Sequence, residues 1–498
     1  MQQQHQAQQQ VLSVTAEMHP LVKTGGLADV AGALPEAMAG HGVQMTTLLP
    51  GYPAVLDALH APRVVGTLAG IGGPARLLAG RVGAAELLAL DAPQLYARPG
   101  NPYLAADGRD WPDNALRFAA LAQAAAQIAA GAVAGLAPRL LHLHDWHAAL
   151  APAYLRSGPA AGRRVPTVLT LHNLAFQGLF PAGQFAALGL PASDFSPAAL
   201  EFHGRVGFLK AGLLMADAIT TVSPSYAREI LRPEQGMGLD AILRWRDAQG
   251  ALQGIVNGID PGIWNPATDP ALAARYDADH LAERRANRRA LEAHFGLAHE
   301  EQGLLCCVVS RLTEQKGMDL LLDALDALSA LNARLIVLGS GDAAMQARWL
   351  AAAQRWPGRV AVQIGYDETL SHLMQGGADA IIVPSRFEPC GLTQLYGLRY
   401  GCVPVVAHVG GLADTVIDAN PAALDAGVAT GIQFSEVSRE GLVEALRRCA
   451  LLHAQPEVWA AIQQAGMRAN VSWERSAASY AALYRRLLGR NVEPVAQP

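Results

Sequence analysis

The stretch Lys23-Thr-Gly-Gly-Leu-Ala-Asp-Val30 lies between two different hydrophobic patterns. Residues 11–18 before it form an apolar, alternating run typical of a strand, and residues 30–34 after it have an apolar helical pattern. Gly25 and Gly26 permit close approach of a ligand to the backbone, and a helix start leaves N–H groups free to face that ligand. Lys23 adds a positive charge suited to a phosphate or a sugar hydroxyl. The stretch predicts a ligand-binding turn between strand and helix, with an ordinary turn as the alternative.

A similar stretch, Gly410-Gly-Leu-Ala-Asp414, follows another apolar run far downstream. Strand-like and helix-like runs alternate from residue 11 to about residue 222, and a second such series begins at residue 304. This alternation is typical of parallel sheets with right-handed crossovers. The predicted fold class is therefore α/β, with two doubly wound, Rossmann-like domains facing across a cleft. Ligands of such sheets bind beyond the carboxyl ends of the strands.

The length of the chain predicts more than one domain, since 498 residues exceed what a single core usually holds. We expect a disordered, glutamine-rich tail over residues 1–10, which lacks the regions of a secretory signal. The expected domains are residues 11–256 and 257–472. A final helix is expected over residues 473–490, and it could pack back on the first domain.

Net charge and cysteine content indicate which binding partners and which cellular compartment to expect. The net charge of −5 gives no basic footprint for nucleic acid, and no apolar run approaches the roughly 20 residues that span a membrane. The five cysteines include no CxxC pair and two of them lie side by side in an apolar run, which is typical of reduced, buried thiols in the cytoplasm. We therefore expect a cytoplasmic protein without nucleic-acid or membrane partners.

Two cations follow the strand-like run at residues 304–309, in the stretch Ser310-Arg-Leu-Thr-Glu-Gln-Lys-Gly317. Arg311 offers a planar fork of donors and Lys316 a compact charge, so both suit one diphosphate, although a solvated loop is the alternative. Glu388 follows a later strand, just before an expected helix start at Gly391-Leu392-Thr393. Free N–H groups there favour a phosphate, and the carboxylate suits the hydroxyls of a sugar attached to it.

Three histidines and an aspartate occupy the stretch His142-Leu-His-Asp-Trp-His147. This composition suits a metal site, but Asp145 is one position earlier than in the signature of binuclear zinc hydrolases, and it would point away from His142 and His144 in a strand. Sugar binding by Asp145 and the histidines is a second hypothesis, and hydrogen-bonded structural histidines are a third. His172-Asn173 follows the next strand, and its histidine is either a sugar-binding residue or a hydrogen-bonded structural histidine.

Two further residues are candidate ligand contacts. Tyr366 follows Gly365 at a strand end, where its ring either stacks on a nucleobase or lies exposed in a turn. Asn257, between the two series, is either a ligand contact or a turn former.

Together these stretches closely resemble the bacterial glycogen synthase and plant starch synthase family of retaining glucosyltransferases. The resemblance runs in order from about residue 11 to the last helix. The matching stretches are residues 23–30, 144–147, 172–178, 210–212, 222–224, 257–260, 310–317, 386–394 and 410–414.

The resemblance implies a fold of the glycosyltransferase-B type and transfer of glucose, with retention, from ADP-glucose to the 4-hydroxyl at the non-reducing end of an α-1,4-glucan such as glycogen. It implies that Arg311 and Lys316 bind the diphosphate and that Glu388 binds donor glucose hydroxyls. His172 and Asp145 would complete the catalytic set beside the sugar. The remaining implied substrate contacts are Lys23, Gly25, Gly26, Asp29, Asn173, Asn257, Tyr366, Cys390, Gly391, Leu392 and Thr393.

The charges of these residues suggest a mechanism without a cofactor. Arg311, Lys316 and the helix start at Gly391 would stabilise the leaving phosphate, so neither a metal ion nor another cofactor is expected. No obvious second carboxylate is present to form a glycosyl intermediate, and we therefore expect a front-face reaction. Rival readings are a metal-dependent hydrolase using His142, His144 and His147, a glucan phosphorylase-like enzyme that would need pyridoxal phosphate, and a non-catalytic sugar-binding protein.

Overall fold

The computed structural model describes residues 9–105, 107–157, 164–300 and 302–490. By its internal contacts the chain divides into two compact units, residues 1–257 with 473–498, and residues 258–472. The expected tail was drawn too long, because Gln9 and Gln10 pair with Val43 and Gln44 in the first sheet. Residues 1–8 lie outside the described residues.

The first unit is built on a nine-stranded sheet with the order β12-β11-β7-β6-β1-β2-β5-β4-β3. Its strands are β1 (Gln9–Val14), β2 (Val43–Pro50), β3 (His60–Leu68), β4 (Ala75–Val82), β5 (Ala85–Asp91), β6 (Leu140–His144), β7 (Thr167–Leu171), β11 (Ala218–Thr221) and β12 (Leu252–Gly254). A small second sheet contains β8 (Leu179–Pro181), β9 (Glu201–Phe202) and β10 (Arg205–Gly207).

Helices follow most strands of the first unit. They are α1 (Gly26–Ala39), α2 (Pro53–Ala58), α3 (Pro93–Tyr96), α4 (Asn114–Ala129), α5 (Asp145–Ala148), α6 (Ala151–Ser157), α7 (Phe208–Met215), α8 (Pro224–Glu229) and α9 (Asp240–Ala248). The alanine-rich α4 ends at residue 129. Ala130 is its C-cap, and Gly131 then adopts a positive φ that an α-helix does not accommodate.

One edge of this sheet departs from the parallel pattern. β4 pairs antiparallel with both β3 and β5, while β5 pairs parallel with β2. A two-residue turn, Gly83-Ala84, joins β4 to β5, and Gly83 has a φ of 57°. Such a turn connects neighbouring antiparallel strands directly, whereas a parallel pair needs a long crossover.

The second unit contains a six-stranded parallel sheet with the order β15-β14-β13-β16-β17-β18. The strands are β13 (Leu305–Val309), β14 (Arg334–Gly339), β15 (Val360–Ile364), β16 (Ala380–Val383), β17 (Val403–Ala407) and β18 (Ile432–Phe434). The apolar runs of β13, β14, β16 and β17 are almost entirely buried, as parallel strands covered by helices require, whereas the edge strand β15 is partly exposed.

The helices of this unit are α10 (Arg284–Phe295), α11 (Met318–Asp323), α12 (Leu325–Ala330), α13 (Ala343–Arg355), α14 (Glu368–Gly377), α15 (Thr393–Tyr400), α16 (Gly410–Thr415), α17 (Pro421–Asp425), α18 (Arg439–His453) and α19 (Pro456–Arg468). The strand order is that of a dinucleotide-binding sheet, and it reverses between β13 and β16. The loops after these two strands therefore flank the point at which such sheets bind ligands.

The chain returns to the first unit through helix α20 (Glu474–Arg490). Its apolar face, including Tyr480 and Tyr484, packs against Val11, Val30 and Leu34. The Tyr484 hydroxyl also lies 2.7 Å from Nδ1 of His142 in β6. The last helix thus completes the core beneath β1 and β6, the strands between which the order of the first sheet reverses.

No helix of the described residues is long and apolar enough to cross a membrane.

Candidate active site

In the second unit, two loops leave the sheet at its reversal point. We call residues 310–317, after β13, the cation loop, and residues 384–391, after β16, the glutamate loop. They approach each other closely at Gly317, which has a φ of 67° and where a Cβ atom would lie 1.9 Å from the carbonyl oxygen of Pro384. Only glycine fits there, so the glycine beside Lys316 serves the contact between the loops.

Lys316 and Glu388 meet across these loops. The Lys316 Nζ atom lies 2.6 Å from Oε2 of Glu388, which also accepts a hydrogen bond from the Ser385 hydroxyl at 2.9 Å. Both charged side chains are largely buried, with exposed fractions of 17% and 8%. An ammonium group has three donors, so Lys316 can keep this partner and still donate to a phosphate.

Arg311 is held by its own loop. Its Nη2 atom donates to Oε1 of Gln315 at 3.2 Å. On the opposite side, helix α15 begins at Thr393 with Leu392 as its N-cap residue, and Gly391 before it has a φ of 74°. Arg311, Lys316 and Glu388 thus lie in the two loops that leave the sheet at its reversal point, and α15 begins directly after the second loop.

Cys390 and Tyr366 differ in their exposure. Cys390 is buried, as are the other four cysteines. The Tyr366 ring is 56% exposed after β15, two strands away from β13. Strands are about 4.8 Å apart, so Tyr366 leaves the sheet about 10 Å from the cation loop.

In the first unit, the turn after β1 is organised by two carboxylates. The Lys23 Nζ atom lies 2.7 Å from Oδ1 of Asp29, one turn into α1. The Glu17 carboxylate accepts hydrogen bonds from the backbone N–H and the hydroxyl of Thr24, and from the hydroxyl of Tyr103. Helix α1 begins at Gly26, four residues earlier than the apolar pattern alone indicates.

The two similar glycine stretches adopt different conformations. Gly25 is the N-cap residue of α1 with an extended φ of −164°, and a Cβ atom there would meet nothing within 4 Å. Gly410, its counterpart, is the first residue of α16 and has a φ of 43°. The fold itself does not require glycine at position 25, which is consistent with the close approach of a ligand.

A chain of buried histidines connects β6 and β7. His144 Nδ1 lies 3.0 Å from His172 Nε2, and His144 Nε2 lies 3.1 Å from the Ser13 hydroxyl. Burial lowers the pKa of His144 to about 3. Burial also lowers the pKa of His172, and the nearby His144 and His147 lower it further. His172 is therefore neutral at physiological pH, with its Nε2 atom engaged by His144.

Asp145 begins α5 with a φ of 52° and is buried. Its Oδ1 atom accepts the backbone N–H of His172 at 2.7 Å, which joins the ends of β6 and β7. Burial raises the pKa of this carboxyl to about 7, although hydrogen bonds from the backbone of His172 and Asn173 oppose the shift. Near neutral pH the group can thus either accept or donate a hydrogen bond.

The histidines do not form the arrangement that the hydrolase hypothesis needs. His142 bonds with Thr170 at 2.6 Å and with Tyr484 at 2.7 Å, so both of its ring nitrogens are occupied. His147 instead stacks on the Tyr103 ring with centroids 4.9 Å apart. Among the described residues, no group of three or more histidine, cysteine, aspartate or glutamate side chains is placed to hold a metal ion.

Asn257 ends the first unit and is buried. Its Oδ1 atom has no hydrogen-bond partner within the described part of the chain. A buried carbonyl oxygen of this kind favours a ligand contact over a simple turn former.

Sequence reasoning missed Glu17, Thr24 and Tyr103 in the first unit, and Ser385 and Gln315 in the second. Glu17 lies inside the strand-like run at residues 11–18, whereas the structure ends β1 at Val14 and leaves Glu17 in the turn. Tyr103 gave no signal, because its bond to Glu17 joins residues 86 positions apart.

Comparison with known proteins identifies the family. A model of the starch synthase catalytic domain matches residues 10–245, and a model of glycosyl transferases group 1 matches residues 291–462. The glycogen synthase of Novosphingobium aromaticivorans is 58% identical over 97% of this chain and 99% of its own length. The chain belongs to the glycogen synthase and starch synthase family.

Other members of this glycosyltransferase family agree in sequence and fold. A glycogen synthase of Rhodopseudomonas palustris is 56% identical over 96% of this chain and 97% of its own length. The catalytic domain of starch synthase IV from Arabidopsis thaliana, solved with bound ADP and acarbose, matches with a TM-score of 0.87 and 29% identity over 97% of this chain and all of that one. The glycosyltransferase-B fold is confirmed, and neither the hydrolase nor the phosphorylase alternative is supported.

Proposed function

We propose that this protein is a glycogen synthase that transfers glucose from ADP-glucose to the 4-hydroxyl at the non-reducing end of an α-1,4-glucan, with retention of configuration. The membership of the family supports the reaction. The observation that carries the site assignment is the convergence of Lys316, Glu388, Arg311 and a helix start at the reversal point of the second sheet.

The donor's diphosphate is assigned to the second unit. Arg311, Lys316 and the N–H groups at Gly391 to Thr393 supply positive charge, and Cys390 lies beside this helix start. Glu388 binds hydroxyls of the donor glucose while Lys316 holds it in place, and Tyr366 flanks the adenine. This set stabilises the negative charge that develops on ADP as the glucose–phosphate bond breaks.

The first unit contributes the residues around the reacting sugar. Neutral His172 hydrogen-bonds the donor glucose through Nδ1, with Asn173 beside it, and Asp145 lies near the same sugar. Lys23, Asp29 and the Gly25-Gly26 turn contact the donor when the substrate is bound, and Asn257 accepts a hydrogen bond from it.

The transfer itself follows a front-face course. The bond between the glucose C1 and the phosphate oxygen breaks as the bond from C1 to the acceptor oxygen forms on the same face. The proton of the acceptor hydroxyl passes to an oxygen of the departing phosphate. No metal ion or other cofactor takes part, and the reaction proceeds in the cytoplasm.

Label transfer tests this function. The purified protein is incubated with glycogen and either ADP-glucose or UDP-glucose labelled in the glucose, and the polymer is then digested with β-amylase. Labelled maltose from the ADP-glucose reaction is the expected result. Absence of label in the polymer contradicts the proposed reaction, and transfer from UDP-glucose alone contradicts the donor assignment.

A further inference from the structure

We propose that Arg386 and Asp319 form a clamp that positions the cation loop against the glutamate loop for the donor's diphosphate. The inference rests on the proposed function, since it assigns those loops to the donor. Arg386 belongs to the glutamate loop, two residues before Glu388. Asp319 lies in the first turn of α11, three residues after Lys316.

The side chain of Arg386 makes a two-pronged contact with Asp319. Nη1 lies 2.7 Å from Oδ1 and Nη2 lies 2.6 Å from Oδ2, the fork geometry that arginine and a carboxylate form best. Nη1 also donates to the carbonyl oxygen of Glu314 at 2.6 Å. One guanidinium therefore binds the chain on both sides of Lys316, at Glu314 in the cation loop and at Asp319 in α11.

Backbone contacts extend the clamp to Arg311. The N–H of Arg386 donates to the carbonyl oxygen of Gln315 at 2.9 Å. The side chain of Gln315 reaches the carbonyl oxygen of Phe387 at 3.5 Å and accepts from Arg311 at 3.2 Å. Arg386 thus fixes the residue that orients Arg311 as well as the turn that carries Lys316.

The exposure of the clamp separates positioning from a role in overall stability. Arg386 and Asp319 are 39% and 21% exposed, and pairs this close to solvent contribute little to the free energy of unfolding. A small displacement of two phosphate-binding cations has a far larger effect on the reaction. Loss of the clamp should therefore weaken donor use without melting the fold.

A second pair in the same unit provides the matched control. Arg448 donates through Nη2 alone to both carboxylate oxygens of Asp418 at 3.0 Å, also donates to backbone carbonyls, and is exposed to a similar extent. It joins α18 to Asp418, three residues after the end of α16, and these hydrogen-bond partners lie in neither loop. Arg448→Gln thus removes a comparable ion pair away from the cation loop.

The test compares Arg386→Gln, Asp319→Asn and Arg448→Gln with the wild type. ADP affinity is measured by titration calorimetry, the KM for ADP-glucose and for glycogen by label transfer, and Tm by thermal unfolding. Clamp variants should weaken ADP binding and raise the KM for ADP-glucose by about tenfold or more, since misplacement by about 1 Å costs up to about 100-fold. Their KM for glycogen should stay unchanged and their Tm should match that of Arg448→Gln.

Conservative variants complete the design. Asp319→Glu keeps the carboxylate and should retain most of the ADP affinity, whereas Arg386→Lys keeps the charge without the fork and should recover only part of it. ADP affinities of Arg386→Gln and Asp319→Asn equal to that of Arg448→Gln would overturn the clamp. A wild-type protein that binds ADP but transfers no glucose would overturn the proposed function instead. The ADP affinities of the variants would still test the clamp in that case.

Discussion

Only three of the 38 lysine and arginine residues are lysines, at positions 23, 210 and 316. Lys23 and Lys316 lie in the two proposed substrate-binding stretches, and Lys210 donates to the carbonyl oxygens of Pro197 and Glu201 beneath the small sheet. A chain that otherwise uses arginine keeps lysine where a compact ammonium is needed. Arginine's planar fork does not fit the same contacts.

Lys23→Ala should lower kcat/KM for ADP-glucose by about 10- to 100-fold, which corresponds to the 1.5–3 kcal/mol typical of a hydrogen bond to a charged group. The variant also leaves Asp29 without its 2.7 Å partner. Lys23→Ala is therefore compared with Lys23→Ala/Asp29→Asn in the label-transfer assay. An unchanged kcat/KM in both variants would remove Lys23 from the site.

The buried Asp145 carboxyl gives the protein a measurable pH dependence. Its pKa is raised from 3.8 to about 7, so between these values the folded state holds a proton that the unfolded chain has released. The contribution of Asp145 to the free energy of unfolding therefore falls as pH rises through this window and is constant above it. The neighbouring histidines, whose pKa values are lowered, shift stability in the opposite direction.

Asp145→Asn isolates this effect, because asparagine tolerates the φ of 52° and still accepts the N–H of His172. Urea unfolding is measured for both proteins between pH 5 and pH 8. The stability of the variant relative to wild type should increase towards pH 7 and then level off. A difference that is the same at every pH would show that the carboxyl is not protonated in the folded state.

Among the elements, the loops after β13 and β16 were predictable from sequence because each functional residue lies within a few positions of its strand. The clamp was not, because Arg386 and Asp319 are 67 residues apart and an arginine in a loop gives no indication of its partner. The β3–β4–β5 edge was missed for a different reason. The alternation of strands and helices does not reveal a hairpin, because two strands joined by the short turn at Gly83-Ala84 have no helix between them.

Helix α20 should stabilise the first unit through Tyr484, whose hydroxyl bonds to buried His142. Tyr484→Phe leaves a buried ring nitrogen without this partner, which typically costs about 1–3 kcal/mol. Tyr52→Phe is the control, because the buried Tyr52 hydroxyl has no hydrogen-bond partner among the described residues. Urea unfolding should show a loss for Tyr484→Phe and none for Tyr52→Phe, and equal stabilities would contradict this role of the helix.

For the whole molecule, the sequence predicted two doubly wound units with ligand residues at their carboxyl edges. In each of the two large sheets the strand order reverses beside the first strand. Lys23 and Asp145 follow β1 and β6 in one unit, and Arg311 and Glu388 follow β13 and β16 in the other. His172 follows the neighbouring strand β7. This agreement has a physical reason, since neighbouring strands with crossovers in opposite directions leave an open crevice at their ends. The side-chain partners within each crevice depend on tertiary packing and appear only in the structure.

Treatment with EDTA should leave glucose transfer unchanged. The positive charges of Arg311 and Lys316 stabilise the leaving diphosphate in the proposed mechanism, so a divalent cation has no required role. The label-transfer rate is measured before and after chelation and after adding back Mg²⁺. Complete loss that Mg²⁺ restores would contradict the mechanism.

In the proposed mechanism, Arg311 and Lys316 at the reversal point of the second sheet stabilise the leaving ADP during glucose transfer. The most direct measurement is kcat for label transfer into glycogen by Lys316→Ala beside the wild type, with circular dichroism to establish that both are folded. We expect kcat of Lys316→Ala to fall about 100- to 1,000-fold, equivalent to about 2.7–4 kcal/mol of transition-state stabilisation. A folded Lys316→Ala protein with near-normal kcat would contradict it.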